Sequence, residues 1–167
     1  GGSGEDFSAA RYEGYGPGGM MTIIECLTDN PNRTFGDVRL AFTKTDCKIG
    51  TQGSVIHHFD HLAIFVFDFD NEEIPFDALI ASDIDIIDIE SEDGRISIFV
   101  SNTDYFKAKQ AILNSCGDLN FEIDEIQYLP HEYIHIAGDD ILLFEKFMTM
   151  LNELDDVQHV HHNAKLE

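Results

Sequence analysis

The stretch IDIIDIESEDGRISIFV, residues 84–100, decides the fold class of this chain. Isoleucines alternate with acids over residues 84–90, and apolar side chains alternate with polar ones over residues 95–100. Both patterns are typical of strands that cover one face of a core. The EDG sequence at 92–94 is typical of a tight turn whose glycine adopts the left-handed conformation. The stretch therefore predicts a β-hairpin.

A strand and a helix flank the hairpin on each side. Residues 62–69 predict a strand, and Pro75 opens a short helix that continues to Ile80. After the hairpin, Asn102 or Thr103 is expected to cap a helix that Gly117 stops. Residues 121–129 then predict a strand. The order is β-α-β-β-α-β, which is the ferredoxin-like arrangement.

The remaining segments predict a second module. They contain a strand start at residues 11–12, strands at 20–27, 54–59 and 157–161, and helices at 35–44 and 139–154. We therefore predict an α+β fold of two ferredoxin-like-type modules, one inserted in the other. Residues 1–10 are expected to be a linker, residues 11–61 plus 131–163 a discontinuous outer module, and residues 62–130 the inserted βαββαβ module.

The charge of the chain restricts its partners. The net charge is −22, and residues 61–129 alone carry sixteen acidic and three basic side chains. Such a surface repels phosphate backbones and favours basic partners, or it is simply a solvated acidic surface. No apolar run approaches the roughly 20 residues of a membrane helix. The first residues contain neither a basic start nor an apolar stretch, so we do not expect them to be a signal peptide. Three scattered cysteines indicate reduced thiols, so we expect a cytoplasmic protein.

One basic cluster stands out against this background. Arg33, Arg39, Lys44 and Lys48 are four of the ten positive residues, and they lie on or beside the helix predicted at 35–44. Four such charges can seat a few phosphates. The alternative is a helix that places its cations near its negative C-terminal end.

Two glycine-rich segments resemble ligand-binding loops. GYGPGG at 14–19 matches a dinucleotide fingerprint, but a strand follows it instead of a helix, so a turn is the favoured interpretation. GTQG at 50–53 matches the loop by which KH domains hold nucleic acid, although here it joins a predicted helix to a predicted strand. No cofactor is predicted from either segment.

Carboxylates and histidines offer two further candidate sites. Asp83, Asp85, Asp88 and Glu90 interleave with isoleucines, which indicates the wet face of a sheet more than a metal or acid–base site. The histidines cluster as His57, His58 and His61 and as His159, His161 and His162, without the helical spacing or cysteine pairs of a zinc site. No metal is predicted, and no catalytic motif is present.

Six short segments together point to a known family. They are YEGYGP at 12–17, CLTDN at 26–30, NRT at 32–34, GTQGSV at 50–55, DDVQ at 155–158 and HN at 162–163. In this order they resemble the YebC family. The resemblance implies a basic N-terminal helical domain followed by two α+β domains, one inserted in the other. By this resemblance we expect the chain to correspond to the latter two domains, without the first.

The resemblance also implies a function. YebC-like proteins are regulators of gene expression, either by binding DNA or by activating translation at the ribosome, and none is an established enzyme. We therefore predict a non-enzymatic regulator that contacts nucleic acid or ribosome, mainly through the absent N-terminal domain. The alternatives are a small-molecule-sensing ferredoxin-like module and a carboxylate-dependent metal enzyme. The predicted contact residues are Arg33, Arg39, Lys44 and Lys48, and the loop residues that carry the family motifs are Gly14, Gly16, Pro17, Asn30, Thr34, Gly50 and Gly53.

Overall fold

The computed structural model describes residues 6–167 and shows a mixed α+β protein, which confirms the predicted fold class. The strands are β1 (Ser8–Tyr15), β2 (Met21–Thr28), β3 (Lys48–Ile49), β4 (Phe59–Asp68), β5 (Ile86–Glu92), β6 (Arg95–Ser101), β7 (Phe121–Pro130), β8 (Ile134–Ile136), β9 (Val157–His162) and β10 (Ala164–Leu166). The helices are α1 (Pro31–Thr43), α2 (Glu73–Ala81), α3 (Tyr105–Cys116) and α4 (Asp139–Asn152). None of the helices within residues 6–167 is long and apolar enough to cross a membrane.

The chain divides into two compact units. One unit is His61–Tyr128, and the other comprises the chain up to Asp60 together with Leu129–Glu167. We call them the inner unit and the outer unit.

The inner unit contains a four-stranded sheet in the order β5-β6-β4-β7. β6 runs antiparallel to both β4 and β5, and the β5–β6 hairpin turns at Gly94, whose φ is +79°. Alternate residues of β6 are buried, among them Ile96 and Ile98, and they pack with Phe65, Phe67 and residues of α2 and α3 in one apolar core. This strand order is the one that a β-α-β-β-α-β chain forms when each helix crosses over to a non-adjacent strand.

The outer unit is built on a second sheet, in the order β3-β1-β2-β9. β2 is antiparallel to β1 along its whole length, and to β9 with an irregularity between Glu25 and Cys26. α1 and α4 cover one face, where the rings of Phe42 and Phe147 meet edge to face with centroids 4.9 Å apart. β8 and β10 form a separate parallel pair.

Several predicted boundaries are wrong. The linker predicted at residues 1–10 is too long, because Ser8–Tyr15 already pairs with β2; residues 1–5 lie outside the described part. The strand predicted at 54–59 is a short 3₁₀ turn, Ile56–His58, and β4 begins only at Phe59. In this segment the backbone N–H groups of Val55 and Ile56 donate to the Glu13 side chain instead of to a neighbouring strand, which explains the error.

The starts of α3 and β5 also differ from the predicted ones. The predicted caps Asn102 and Thr103 lie inside a 3₁₀ turn that Ser101 caps by accepting a hydrogen bond from the Thr103 N–H, and α3 begins after it. The strand predicted from residue 84 begins at Ile86, because the Ile84 N–H donates to the Leu79 carbonyl oxygen of α2 at 3.1 Å instead of to a neighbouring strand.

Candidate nucleic-acid interface

Three members of the predicted basic cluster lie on α1 or at its C-terminal end, and the fourth, Lys48, lies on β3. Asn30 caps this helix by accepting a hydrogen bond from the Arg33 N–H at 3.2 Å, and Pro31 occupies its first turn. The buried side of α1 comprises Thr34, Val38, Ala41 and Phe42. Arg33 and Arg39 lie on the part of α1 that is exposed to solvent. Lys44 caps the C-terminal end of the helix and is also exposed.

Arg33 is the member of the cluster whose charge is already compensated. Its guanidinium nitrogen Nη2 lies 2.9 Å from Asp156 Oδ2 and 3.1 Å from Asp29 Oδ1. The hydrogen bonds to Asp156 and then Asp29 raise the pKa of Arg33, so it remains charged. One cation between two carboxylates gives no net attraction for a phosphate.

The same ion pair joins the start of α1 to the segment before β9. The Thr34 hydroxyl is buried and donates to Asp156 Oδ2 at 2.7 Å, and it also lies 2.7 Å from Thr28 Oγ1. The hydrogen bond from Arg33, followed by that from Thr34, lowers the pKa of Asp156. Thr34 and Asn30 thus position the first turn of α1, which is a structural role for two of the motif residues.

Arg39, Lys44 and Lys48 form the uncompensated part of the cluster. Within residues 6–167 none of the three forms an ion pair. Leu40, which is 47% exposed, lies beside Arg39 on the same helix. These side chains are therefore available to an anionic partner, whereas Arg33 is not.

The two glycine-rich segments contact each other. The Gly50 N–H donates to the carbonyl oxygen of Glu13 at 2.9 Å, next to the short pairing of β1 with β3. A Cβ on Gly14 would lie 2.7 Å from the Gly50 nitrogen, and a Cβ on Gly50 would lie 2.9 Å from the Glu13 oxygen. Because these neighbours are backbone atoms, neither position has room for a side chain.

Glu13 holds the loop that follows Gly53. Its side chain is fully buried, and Oε1 accepts hydrogen bonds from the Val55 N–H at 2.8 Å and the Ile56 N–H at 2.9 Å. Burial alone would raise the pKa of Glu13, but the backbone N–H groups of Val55, Gly53 and Ile56 outweigh it and the pKa is lowered. Glu13 is therefore a carboxylate at neutral pH. Its Oε2 lies 3.6 Å from Arg11 Nε, and neither of these two buried atoms has a hydrogen-bond partner within the described residues.

The first glycine-rich segment forms a turn, as predicted. Pro17 is buried and opens a 3₁₀ turn, Pro17–Gly19, that the Gly16 N–H closes by donating to the Met20 carbonyl oxygen at 2.8 Å. No helix follows it, so no helix N-terminus faces a pyrophosphate. In the second segment Gly53 has a φ of +88°, which favours glycine.

The histidine side chains contact carboxylates or aromatic rings. His161 Nε2 lies 3.0 Å from Glu25 Oε2, and His131 Nε2 lies 2.8 Å from Asp60 Oδ1. The rings of His57 and His58 are 4.2 Å apart and those of His159 and His161 are 5.8 Å apart, whereas the His162 ring meets Phe144. Across residues 6–167 no group of three or more possible ligands could hold a metal ion.

The acidic row of the inner unit is not a converging site either. Asp83 and Asp85 precede β5, and only Asp88 and Glu90 lie on it, both exposed. A register shift between Ile86 and Asp88 interrupts the alternation that the sequence suggested. The carboxylates face solvent, so the geometry gives no support to the metal-enzyme alternative.

Three residues that organise this region were missed as site residues. Arg11, Glu13 and Asp156 appear in no predicted site, although Glu13 and Asp156 lie in the YEGYGP and DDVQ motifs. No apolar pattern marks Glu13 as buried, because its strand also contains Ser8 and Arg11 and is exposed at its start. No local signal connects Asp156 with Arg33, which is 123 positions earlier.

The chain matches a known family over nearly all of its length. The family model described as "TACO1/YebC second and third domain" matches residues 7–164. A "probable transcriptional regulatory protein" of Alcanivorax borkumensis is 61% identical over 166 residues, covering 99% of this chain and 70% of that protein. A protein of the same name from Marinobacter nauticus is also 61% identical, covering 99% of this chain and 69% of its own length.

A solved structure shows the same architecture. The crystal structure of a conserved hypothetical protein from Aquifex aeolicus superposes with a TM-score of 0.73 at 28% sequence identity. The superposition covers 99% of this chain and 68% of that one.

Proposed function

Because this chain belongs to the TACO1/YebC family, we propose that it regulates gene expression by contacting nucleic acid, as DNA or as ribosomal RNA, without catalysing a reaction. Relatives that are about three-fifths identical to it are named probable transcriptional regulatory proteins. One structural observation supports a contact by this chain itself. Arg39, Lys44 and Lys48 project from α1 and β3, and no carboxylate of the described residues neutralises them.

The charge balance makes this contact a weak one. Affinity for a phosphate backbone grows with the number of cations that face it, and this surface offers three. The net charge of −22 repels the same backbone, although salt screens that repulsion beyond about 8 Å at physiological strength. We therefore expect residues 1–167 to bind duplex DNA with a Kd above roughly 10⁻⁴ M at physiological salt.

Most of the affinity then comes from elsewhere in the protein. The chain spans about 70% of the length of the relative from Alcanivorax borkumensis. We propose that the remaining segment of such relatives, which the YebC resemblance implies is a basic helical domain, provides most of the phosphate contacts. This chain adds a short, oriented contact through α1.

Titrations of the two proteins in one buffer test the proposal. Residues 1–167, alone and joined to the remaining segment of the Alcanivorax relative, are titrated against the same DNA duplex over a range of salt concentrations. Only the joined protein is expected to bind tightly, and Arg39→Ala with Lys44→Ala in residues 1–167 is expected to reduce its salt slope by about one for each phosphate that is no longer neutralised. Lys146→Ala, an exposed cation on α4, is the matched control. Micromolar binding by residues 1–167 alone would refute the proposal.

Co-sedimentation separates the two partners. The joined protein is centrifuged with ribosomes and, in parallel, mixed with duplex DNA at the same salt concentration. Sedimentation that salt and the Arg39 and Lys44 substitutions weaken assigns the contact to the ribosome, and binding to the duplex alone assigns it to DNA. A variant that keeps both interactions at full strength would contradict a role for α1.

A further inference from the structure

A groove at the edge of the outer unit has no role in the proposed phosphate contact. It encloses about 410 Å³, within the range of sites that bind small molecules or parts of larger ones. Its lining residues are Arg11, Tyr12, Glu13, Phe35, Ile49, Gly50, Thr51 and Gln52. These are the end of β3, the GTQG loop, one residue of α1 and the part of β1 beside them, all within one unit.

Two aromatic rings form one wall of the groove. Phe35 lies on α1 with 42% of its surface exposed, and its ring centre is 6.0 Å from that of Tyr12. The two rings are inclined to each other by 47°, so the exposed face of Phe35 is the surface on which a planar group can stack, with Tyr12 beside it. Gly50 contributes only backbone atoms to the lining of the groove.

Polar groups stand beside the aromatic wall with unused hydrogen-bonding capacity. Glu13 is fully buried, and its Oε2 pairs with Arg11 Nε at 3.6 Å without a hydrogen bond between the two atoms. The Arg11 side chain is 36% exposed. Gln52 donates one amide N–H to the Arg11 carbonyl oxygen at 3.1 Å, which leaves its second N–H and its oxygen for a ligand. A donor fork and an amide at the edge of an aromatic surface are the groups that read a nucleobase edge.

From these features we propose that the groove binds one unstacked nucleobase of a single-stranded nucleic acid. The base stacks on Phe35 beside Tyr12, and its edge meets the Arg11 guanidinium and the Gln52 amide. This inference rests on the proposed function and adds to it a base contact that does not depend on the cations of α1.

The decisive comparison is between strands with and without bases. Amide NMR spectra of residues 1–167 are recorded with a single-stranded RNA of about eight nucleotides, with the DNA strand of the same sequence, and with an abasic strand of equal charge. We expect either base-bearing strand to shift the amide signals of Thr51, Gln52 and Phe35. We expect the abasic strand to leave them in place. Equal shifts from the abasic strand would overturn the base pocket while leaving the phosphate contact of the proposed function intact.

Two substitutions on one helix provide the matched control. Phe35→Ala removes the exposed ring, and Leu40→Ala removes an apolar side chain of similar exposure outside the groove. Without the stacked ring, the Kd of Phe35→Ala for the base-bearing strand should rise about tenfold, whereas that of Leu40→Ala should be unchanged. Circular dichroism establishes that both variants are folded. Equal Kd values for the two variants would refute the inference, as would shifts caused by a free mononucleotide but not by either strand.

Discussion

Replacing Glu13 with glutamine tests the buried carboxylate that holds the GTQG loop. Glu13 Oε1 accepts two backbone hydrogen bonds, from Val55 at 2.8 Å and Ile56 at 2.9 Å. A hydrogen bond to a charged group contributes about 1.5–3 kcal/mol and a neutral one about 0.5–1.5 kcal/mol. Glutamine preserves both acceptor contacts but removes the charge, so we expect a loss of about 2 kcal/mol in the free energy of unfolding at pH 7.

The effect of Glu13→Gln on stability should depend on pH in a defined direction. The pKa of Glu13 is lowered in the folded protein, so its contribution is fully present above the unfolded pKa of about 4.3. That contribution is lost as the pH falls through the folded pKa, because protonated Glu13 resembles glutamine. The stability difference between the native protein and Glu13→Gln should therefore shrink from about 2 kcal/mol at pH 7 toward zero at acid pH.

Urea unfolding curves measure this difference, and hydrogen exchange at the Val55 and Ile56 amides localises it. Samples at about pH 3.5 avoid the pI of about 4.4, where solubility is lowest. Glu153→Gln, at an exposed position just after α4, is the control and should change stability by less than about 0.5 kcal/mol. An equal loss at both pH values, or none at pH 7, would refute the assigned role of Glu13.

Three further predictions concern the contacts and thiols of the outer unit. Gly50→Ala places a Cβ 2.9 Å from a backbone oxygen and should destabilise the protein by about 1–3 kcal/mol in thermal or urea unfolding, whereas Gly36→Ala, in α1 with nothing within 4 Å, should cost less. Asp156→Asn should lower stability by about 1–3 kcal/mol at pH 7, because the charged acceptor of the Thr34 hydroxyl is removed, and an unchanged midpoint would contradict this. Thiol titration of the denatured protein should find three free cysteines, whereas the native protein at pH 8 should leave Cys26 unreacted, because burial, followed by nearby acids, raises its pKa to about 11.

Elements with strong local patterns were predictable. The alternation in residues 95–100 and the EDG turn identify β6 and the hairpin because burial of one sheet face imposes a period of two. Asn30 and Pro31 also mark the start of α1, since its first N–H groups need a side-chain acceptor, but the prediction placed this start at residue 35. The predicted helix began a few residues late because its apolar stripe begins only after the capping turn.

Elements with long-range partners were not predictable. The segment 54–59 has the composition of a strand, yet its N–H groups bond to Glu13, about forty residues earlier. The cluster Arg33, Arg39, Lys44 and Lys48 looks uniform in sequence, but Asp29 and Asp156 neutralise only its first member. Charge counts along a chain cannot identify the pair of Arg33 with Asp156, because Asp156 lies 123 positions later in the sequence.

The sequence by itself determined the α+β class, the β-α-β-β-α-β order of the hairpin and its neighbours, the acidity of the chain, and the motifs that match the family. Only the tertiary structure decided that Gly14 lies against Gly50, that Asp156 pairs with Arg33, and that Phe35 and Tyr12 share a groove with Arg11. The physical reason is the range of the forces. Periodicity and capping act within a turn or a strand, whereas pairing of β1 with β3 and docking of α1 join residues whose separation along the chain carries no local signal.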